Sequence, residues 1–326
     1  MESNNMLFNL QTLFPQKVNM KRERRQISSV AFGLFAYSLI ASIFYVLFLL
    51  IFSASNPELL NEGWFTIILQ GVCMYFIALP LSLPYFKKAS ANPPKQRKIS
   101  IAAWFGLLAI GYVLILVGNM IGITVNSIIE SAINIPQQNA VESMTSGVPI
   151  WAAGLVIAVG APIFEEIVYR KLVIDRLRRY GDLFAVVVSG LIFGLVHGNF
   201  SQFFYATLLG FLFALVYLYS GKLRYSIALH MAINFIGSVY NLKMSELMEK
   251  GNLLGTLMLC GYYVFIVACI VCCSAAYAKL RKYIRLKKPI VKVKAKQMLN
   301  LWLVNPAVWL LLFVLVYSFI ANIAGV

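Results

Sequence analysis

Only two histidines occur in this 326-residue chain, and both sit in apolar surroundings. His197 closes the run Phe193-Gly194-Leu195-Val196-His197, and His230 opens His230-Met231-Ala232-Ile233-Asn234. Ahead of both stands Glu165-Glu166-Ile167-Val168-Tyr169-Arg170, the only acidic pair flanked by long hydrophobic sequence. These residue types suit peptide hydrolysis, which needs an activated water, a stabilised tetrahedral oxyanion and a proton for the leaving amine. A glutamate beside a histidine supplies base and proton shuttle. A second histidine and an asparagine amide can donate to the oxyanion. Alternatively, Glu165, His197 and His230 could hold zinc with one position open for water. The residue set leaves both mechanisms open, and no His-Glu-x-x-His helix is present.

Spacing indicates how such groups are carried. Residues 148–179 read as one long helix with Pro162 kinking its middle. Glu166 and Arg170 are four apart and pair along one face, whereas Glu165 points about 100° away toward another helix. His230 and Asn234 share a face one turn apart. Gly190, Gly194 and Gly198 form a small-residue stripe that lets a neighbouring helix come close beside His197. The polar run Gly198-Asn199-Phe200-Ser201-Gln202 predicts a break at membrane depth, lining protein or a wet cavity.

Composition gives the class: 60% of residues are hydrophobic and 12% charged. Nine apolar stretches, at 28–52, 64–86, 101–129, 148–172, 183–197, 200–219, 225–242, 254–278 and 302–326, are read as membrane spans. The fifth is the shortest. The expectation is an all-α, polytopic helical membrane protein of about nine spans. The first stretch is too long for a signal peptide and lacks a small-residue cleavage site, so it reads as a retained helix. Cys73, Cys260, Cys269, Cys272 and Cys273 all lie in apolar spans and read as inert thiols.

A net charge of +16 could suggest nucleic acid, but 26 of the 28 basic residues fall in alternate connections. They cluster at 17–25, 87–98, 170–179, 222–224 and 279–296. The opposite connections carry Glu58, Glu62, Glu130, Glu142, Glu246 and Glu249. This is a positive-inside pattern with a cytoplasmic N-terminus, and the stretch 279–296 is expected against anionic headgroups of the bilayer rather than nucleic acid. The chain divides into a cytoplasmic arm (1–27), N-terminal membrane helices (28–129), a catalytic membrane core (148–242) and C-terminal helices (254–326) with a basic loop at 279–299. The connection 130–147 is read as an external flap or interfacial segment. No internal repeat supports a transporter built from inverted halves.

The ordered set Glu165-Glu166-x-x-x-Arg170, Phe193-x-x-x-His197 and His230-x-x-x-Asn234 resembles the three motifs of the CAAX-protease and bacteriocin-processing (Abi) family of intramembrane proteases, over about 148–239. The resemblance implies that Glu165 and His197 activate water, that His230 and Asn234 form the oxyanion site, that Glu166 and Arg170 brace it, and that Phe193 packs beside His197. It implies a metalloprotease label alongside a metal-free glutamate mechanism. The implied substrate is a leader peptide, propeptide or other membrane-associated polypeptide, cut at a bacterial plasma membrane. A non-catalytic self-immunity or scaffold protein with the same motifs is the alternative, and a proton-coupled transporter is a second one.

Overall fold

The computed structural model describes residues 18–136 and 147–324. Among these described residues seven helices are long and apolar enough to cross a membrane: α1 (Met20–Ser55), α2 (Gly63–Lys87), α3 (Ile101–Ile133), α4 (Ile150–Tyr180), α6 (Phe200–Ser220), α8 (Leu253–Tyr283) and α10 (Pro306–Ala324). Between them lie α5 (Asp182–Leu195), α7 (residues 223–249) and α9 (Ala295–Leu303). The protein is a polytopic, all-helical membrane protein, and no strand occurs among the described residues. Most of the connection read as a flap, at 137–146, lies outside the described residues, as does most of the N-terminal arm, at 1–17.

Two of the nine expected spans take a different form. Helix α5 has 14 residues, about 21 Å at 1.5 Å per residue, and is too short to cross alone. It stops before His197, which sits in the following turn rather than on a span. Gly198 takes φ +67°, a conformation that only glycine adopts without strain. Asn199 then starts α6 by accepting a hydrogen bond from the Gln202 amide at 2.9 Å. The polar run at 198–202 therefore breaks the chain, as its composition suggests. Helix α7 is continuous, but His230, Asn234, Ser238 and Asn241 keep its hydropathy below that of the seven.

The core is built around α6, which packs against α3, α5 and α7. Close approach to α5 depends on the expected glycine stripe. A methyl group on Gly190 would collide with the Phe211 ring, and one on Gly194 with the Thr207 hydroxyl and the Phe203 carbonyl. A methyl group on Gly210 would meet the Gly190 backbone. At the basic end an extended segment, residues 284–294, crosses the corner between α4 and α5. Asp182 donates its amide to the Lys287 carbonyl at 3.1 Å and accepts the Lys287 amide at 2.9 Å. The Arg179 carbonyl accepts the amides of Ile290 and Val291 at 2.9 and 3.0 Å.

This packing predicts opposite outcomes for two glycine-to-alanine changes. Gly194→Ala should destabilise the protein by about 1–3 kcal/mol, because backbone as well as side chain stands in the way. Gly237→Ala meets nothing within 4 Å and should be neutral or stabilising by up to about 1 kcal/mol. Thermal unfolding in detergent compares them.

Candidate active site

Helices α4, α5 and α7 bring the acidic pair, Phe193 and His230 to one place. Helix α4 contains two π-helical stretches, Ala153–Gly160 and Ile167–Ile174, separated by the turn that holds Pro162, Glu165 and Glu166. Single π turns are frequent at functional sites because they re-aim side chains that regular α spacing would stagger. Here both glutamates reach one imidazole. Glu165 Oε2 lies 3.8 Å from His230 Nε2, and Glu166 Oε1 lies 3.5 Å from His230 Nδ1. The expectation that Glu165 faces another helix alone is therefore modified: both carboxyl groups do so.

Glu166 and Arg170 are fully buried and paired at 3.1 Å, as their spacing suggests. Arg170 also donates to the Ser189 hydroxyl at 3.0 Å, and that hydroxyl donates to the Tyr169 carbonyl at 2.9 Å. Its guanidinium lies over the Phe193 and Phe213 rings at 5.0 and 5.7 Å. Phe213 in turn stacks on His230 at 4.8 Å. The cation is thus held by one carboxylate, one hydroxyl and two aromatic faces, which together offset part of its desolvation.

Phe193 stands between the two histidines, edge-on to His197 at 5.3 Å and to His230 at 5.7 Å. His197 Nδ1 lies 2.8 Å from the Phe193 carbonyl. A carbonyl only accepts, so this nitrogen carries the proton and Nε2 keeps its lone pair. Among the described residues no hydrogen bond or ion pair joins His197 to Glu165 directly. Gathering of Glu165, His197 and His230 into a metal cage is not seen either: among the described residues no three His, Cys, Asp or Glu side chains converge closely enough. The zinc set considered from sequence does not fit this arrangement of the described residues.

Asn234 has an unexpected neighbour. Its amide nitrogen donates to the Ile157 carbonyl of α4 at 2.9 Å. In the π stretch Ala161 donates to Val156, five residues back. The same register would assign Ile157 to residue 162, but Pro162 has no N–H. Asn234 satisfies the carbonyl that proline leaves orphaned, and its second amide hydrogen remains for other work.

Sequence reasoning missed Ser189, Phe213 and the Ile157 carbonyl. Ser189 was legible, since Ser189 and Phe193 lie four residues apart on one face of α5 and the same spacing leads on to His197 in the turn beyond it. Phe213 was not, being one of 23 phenylalanines.

Comparison with known proteins follows the same segment of chain. Residues 147–236 match the family described as type II CAAX prenyl endopeptidase Rce1-like. This segment resembles that family. YdiL of Bacillus subtilis (strain 168), named a candidate membrane peptidase, is 32% identical over 81 residues, covering 24% of this chain and 33% of YdiL. The membrane-embedded CAAX protease MroQ of Staphylococcus aureus (strain USA300) is 28% identical over 103 residues, covering 29% of this chain and 42% of MroQ. The matched part is thus less than half the length of these relatives. No solved structure matches. The resemblance inferred from the three motifs is borne out over the Rce1-like segment, which contains every motif residue.

Two stability measurements follow. Arg170→Met should cost about 3–5 kcal/mol by leaving Glu166 buried and unpaired, while Lys243→Met, which breaks an exposed pair with Glu246, should cost less than about 1 kcal/mol. Asn234→Ala should cost about 1–2 kcal/mol in the native background. In a Pro162→Ala background, where residue 162 regains its N–H, the loss should shrink. A double-mutant cycle reads this as non-additivity, and additive losses would disprove the bridge.

Proposed function

We propose that this protein is an intramembrane endopeptidase that hydrolyses a peptide bond in a membrane-associated, leader or propeptide substrate. The observation that carries the reading is the acidic pair closing on one imidazole, with Arg170 holding the second glutamate. Arg170 neutralises Glu166, so Glu165 and His230 are left as a pair able to share one proton inside an apolar bundle. Such a pair can take a proton at one step and return it at the next. The two relatives' names, a candidate membrane peptidase and a CAAX protease, support the same class.

The proposed reaction begins with water near Glu165 and the free Nε2 of His197. Glu165 accepts a proton as the water oxygen bonds to the scissile carbonyl carbon. The resulting oxyanion accepts hydrogen bonds from His230, protonated at Nε2, and from the second amide hydrogen of Asn234. The carbon–nitrogen bond then breaks, and the proton held by Glu165 passes to the leaving amine. Ile157 fixes the Asn234 amide, and the Glu166 carboxylate lies 3.5 Å from His230 Nδ1. Phe193 separates the histidine rings and keeps each from collapsing onto the other.

The substrate side follows from charge. With basic connections inward, the N-terminus is cytoplasmic and the acidic pair lies in the half of the membrane nearer the cytoplasm. A peptide carrying a membrane-seated segment would approach laterally. A bacterial plasma membrane is the proposed location, which favours secreted-peptide precursors over prenylated proteins.

The decisive test compares secreted and membrane-associated peptides from cells making equal amounts of the intact protein or its Glu165→Gln form. A truncated peptide found only with the intact protein, and then reproduced with purified components, supports the assignment. Identical peptide sets, with an immunity phenotype that survives Glu165→Gln, would replace it with a non-catalytic role for the same residues.

A further inference from the structure

A cavity lies apart from the acidic pair. A groove of about 600 Å³ runs between the first turns of α1 and the end of α2. Four cations line it: Lys21, Arg22 and Arg25 from α1, and Lys88 just beyond α2. Its apolar lining is Phe32 and Tyr85, whose rings meet edge to face at 4.8 Å.

Among the described residues the four cations lack a counter-charge: none of them forms an ion pair with a carboxylate. The acid nearest in sequence, Glu23, is buried and turned the other way, accepting from Arg179 at 3.0 Å and from the Tyr180 hydroxyl at 2.8 Å. Lys88 has only the Tyr85 ring, 5.2 Å away. Like charges gathered around a cavity repel unless an anion joins them. The groove also has a direction. From Arg22 to Phe32 the helix rises by about 15 Å, a distance that spans a headgroup layer and the first acyl carbons. Arg22, Arg25, Ser29 and Phe32 repeat at three and four residues, so one stripe of α1 passes from cationic to aromatic as the helix enters its apolar stretch.

We propose that this groove binds one anionic phospholipid, with its phosphate among Lys21, Arg22, Arg25 and Lys88 and its upper acyl carbons against Phe32 and Tyr85. A free phosphate would use the cations but leave the aromatic wall without a function. The site is tied to the core. Gln26, which also lines the groove, accepts from the Ser90 amide at 2.7 Å and from Arg179 at 3.1 Å. Arg179 belongs to the last turn of the helix that carries Glu165 and Glu166, so an occupied groove braces that end of α4. The proposal is independent of the peptidase reading.

The test uses the full-length protein purified in detergent, with binding of phosphatidylglycerol, phosphatidylcholine and inorganic phosphate measured by native mass spectrometry and by the shift in melting temperature. Phosphatidylglycerol should bind tightest. Arg22→Gln with Arg25→Gln should weaken it about 30-fold, at roughly fivefold per basic residue. Lys95→Gln with Lys98→Gln, an equal charge loss at exposed positions outside the groove, should change it less than about twofold. If both double variants weaken binding equally, the attraction is to net charge and the groove is not a site. If inorganic phosphate stabilises as well as the lipid, the lipid assignment fails. Should the first variant not fold, Lys21→Gln with Lys88→Gln makes the same comparison from the other rim, and undiminished lipid binding there would overturn the proposal.

Discussion

A charge pair inside a bilayer constrains everything around it. Glu166 and Arg170 have no exposure at all, and each would be untenable without the other. Their mutual attraction does not by itself offset the loss of hydration, so the remaining donors and ring faces must be supplied by neighbours. Ser189 and Phe193 come from α5 and Phe213 from α6. Both helices can come close enough only because Gly190, Gly194 and Gly210 remove the side chains between them. The glycine stripe and the ion pair are therefore parts of one solution. The stripe makes the contact that the cation requires.

The same logic explains the irregular helices. A straight α4 would have no carbonyl to spare and no reason to lean on α7. Pro162 and the π register free the Ile157 carbonyl, and Asn234 answers it from the neighbouring helix one turn beyond His230. An unpaired carbonyl in hydrocarbon is costly, so the defect in one helix becomes a fixed distance between two. The acidic pair lies three and four residues after that proline, and His230 lies four residues before that asparagine. The bridge consequently sets the separation across which a proton would travel.

Much of this could be read in advance. The helical membrane class follows from apolar runs of a length that only helices fill, and the Glu166–Arg170 pair from four-residue spacing. The break after α5 is announced by Gly198 and Asn199. What sequence could not give is contact between segments distant along the chain. Nothing near Glu165 says that its carboxyl group faces His230 and not His197. That depends on two π stretches whose register is a property of packing, not of local composition. Phe213 is hidden for the same reason, since an aromatic residue in a membrane helix carries no mark of what it stacks on. Asn234 carries an ambiguous mark: its type suggests a donor, but the acceptor is created by a proline 72 residues earlier.

The extended segment over the α4–α5 corner bears on how the chain is made. Asp182 and Arg179 find their partners at Lys287, Ile290 and Val291, more than a hundred residues later. Helix α1 waits longer still, because Ser28 donates to Asn305 at 3.0 Å and α1 packs against α10. A ribosome that has delivered every motif residue has thus produced a bundle that is still open at its basic end. Closure comes last, when the final tenth of the chain arrives. Until then the Glu166–Arg170 pair has its own partners at Ser189, Phe193 and Phe213, while the basic end still lacks its cover. The tail helices act as a latch on assembly as much as a part of the barrier.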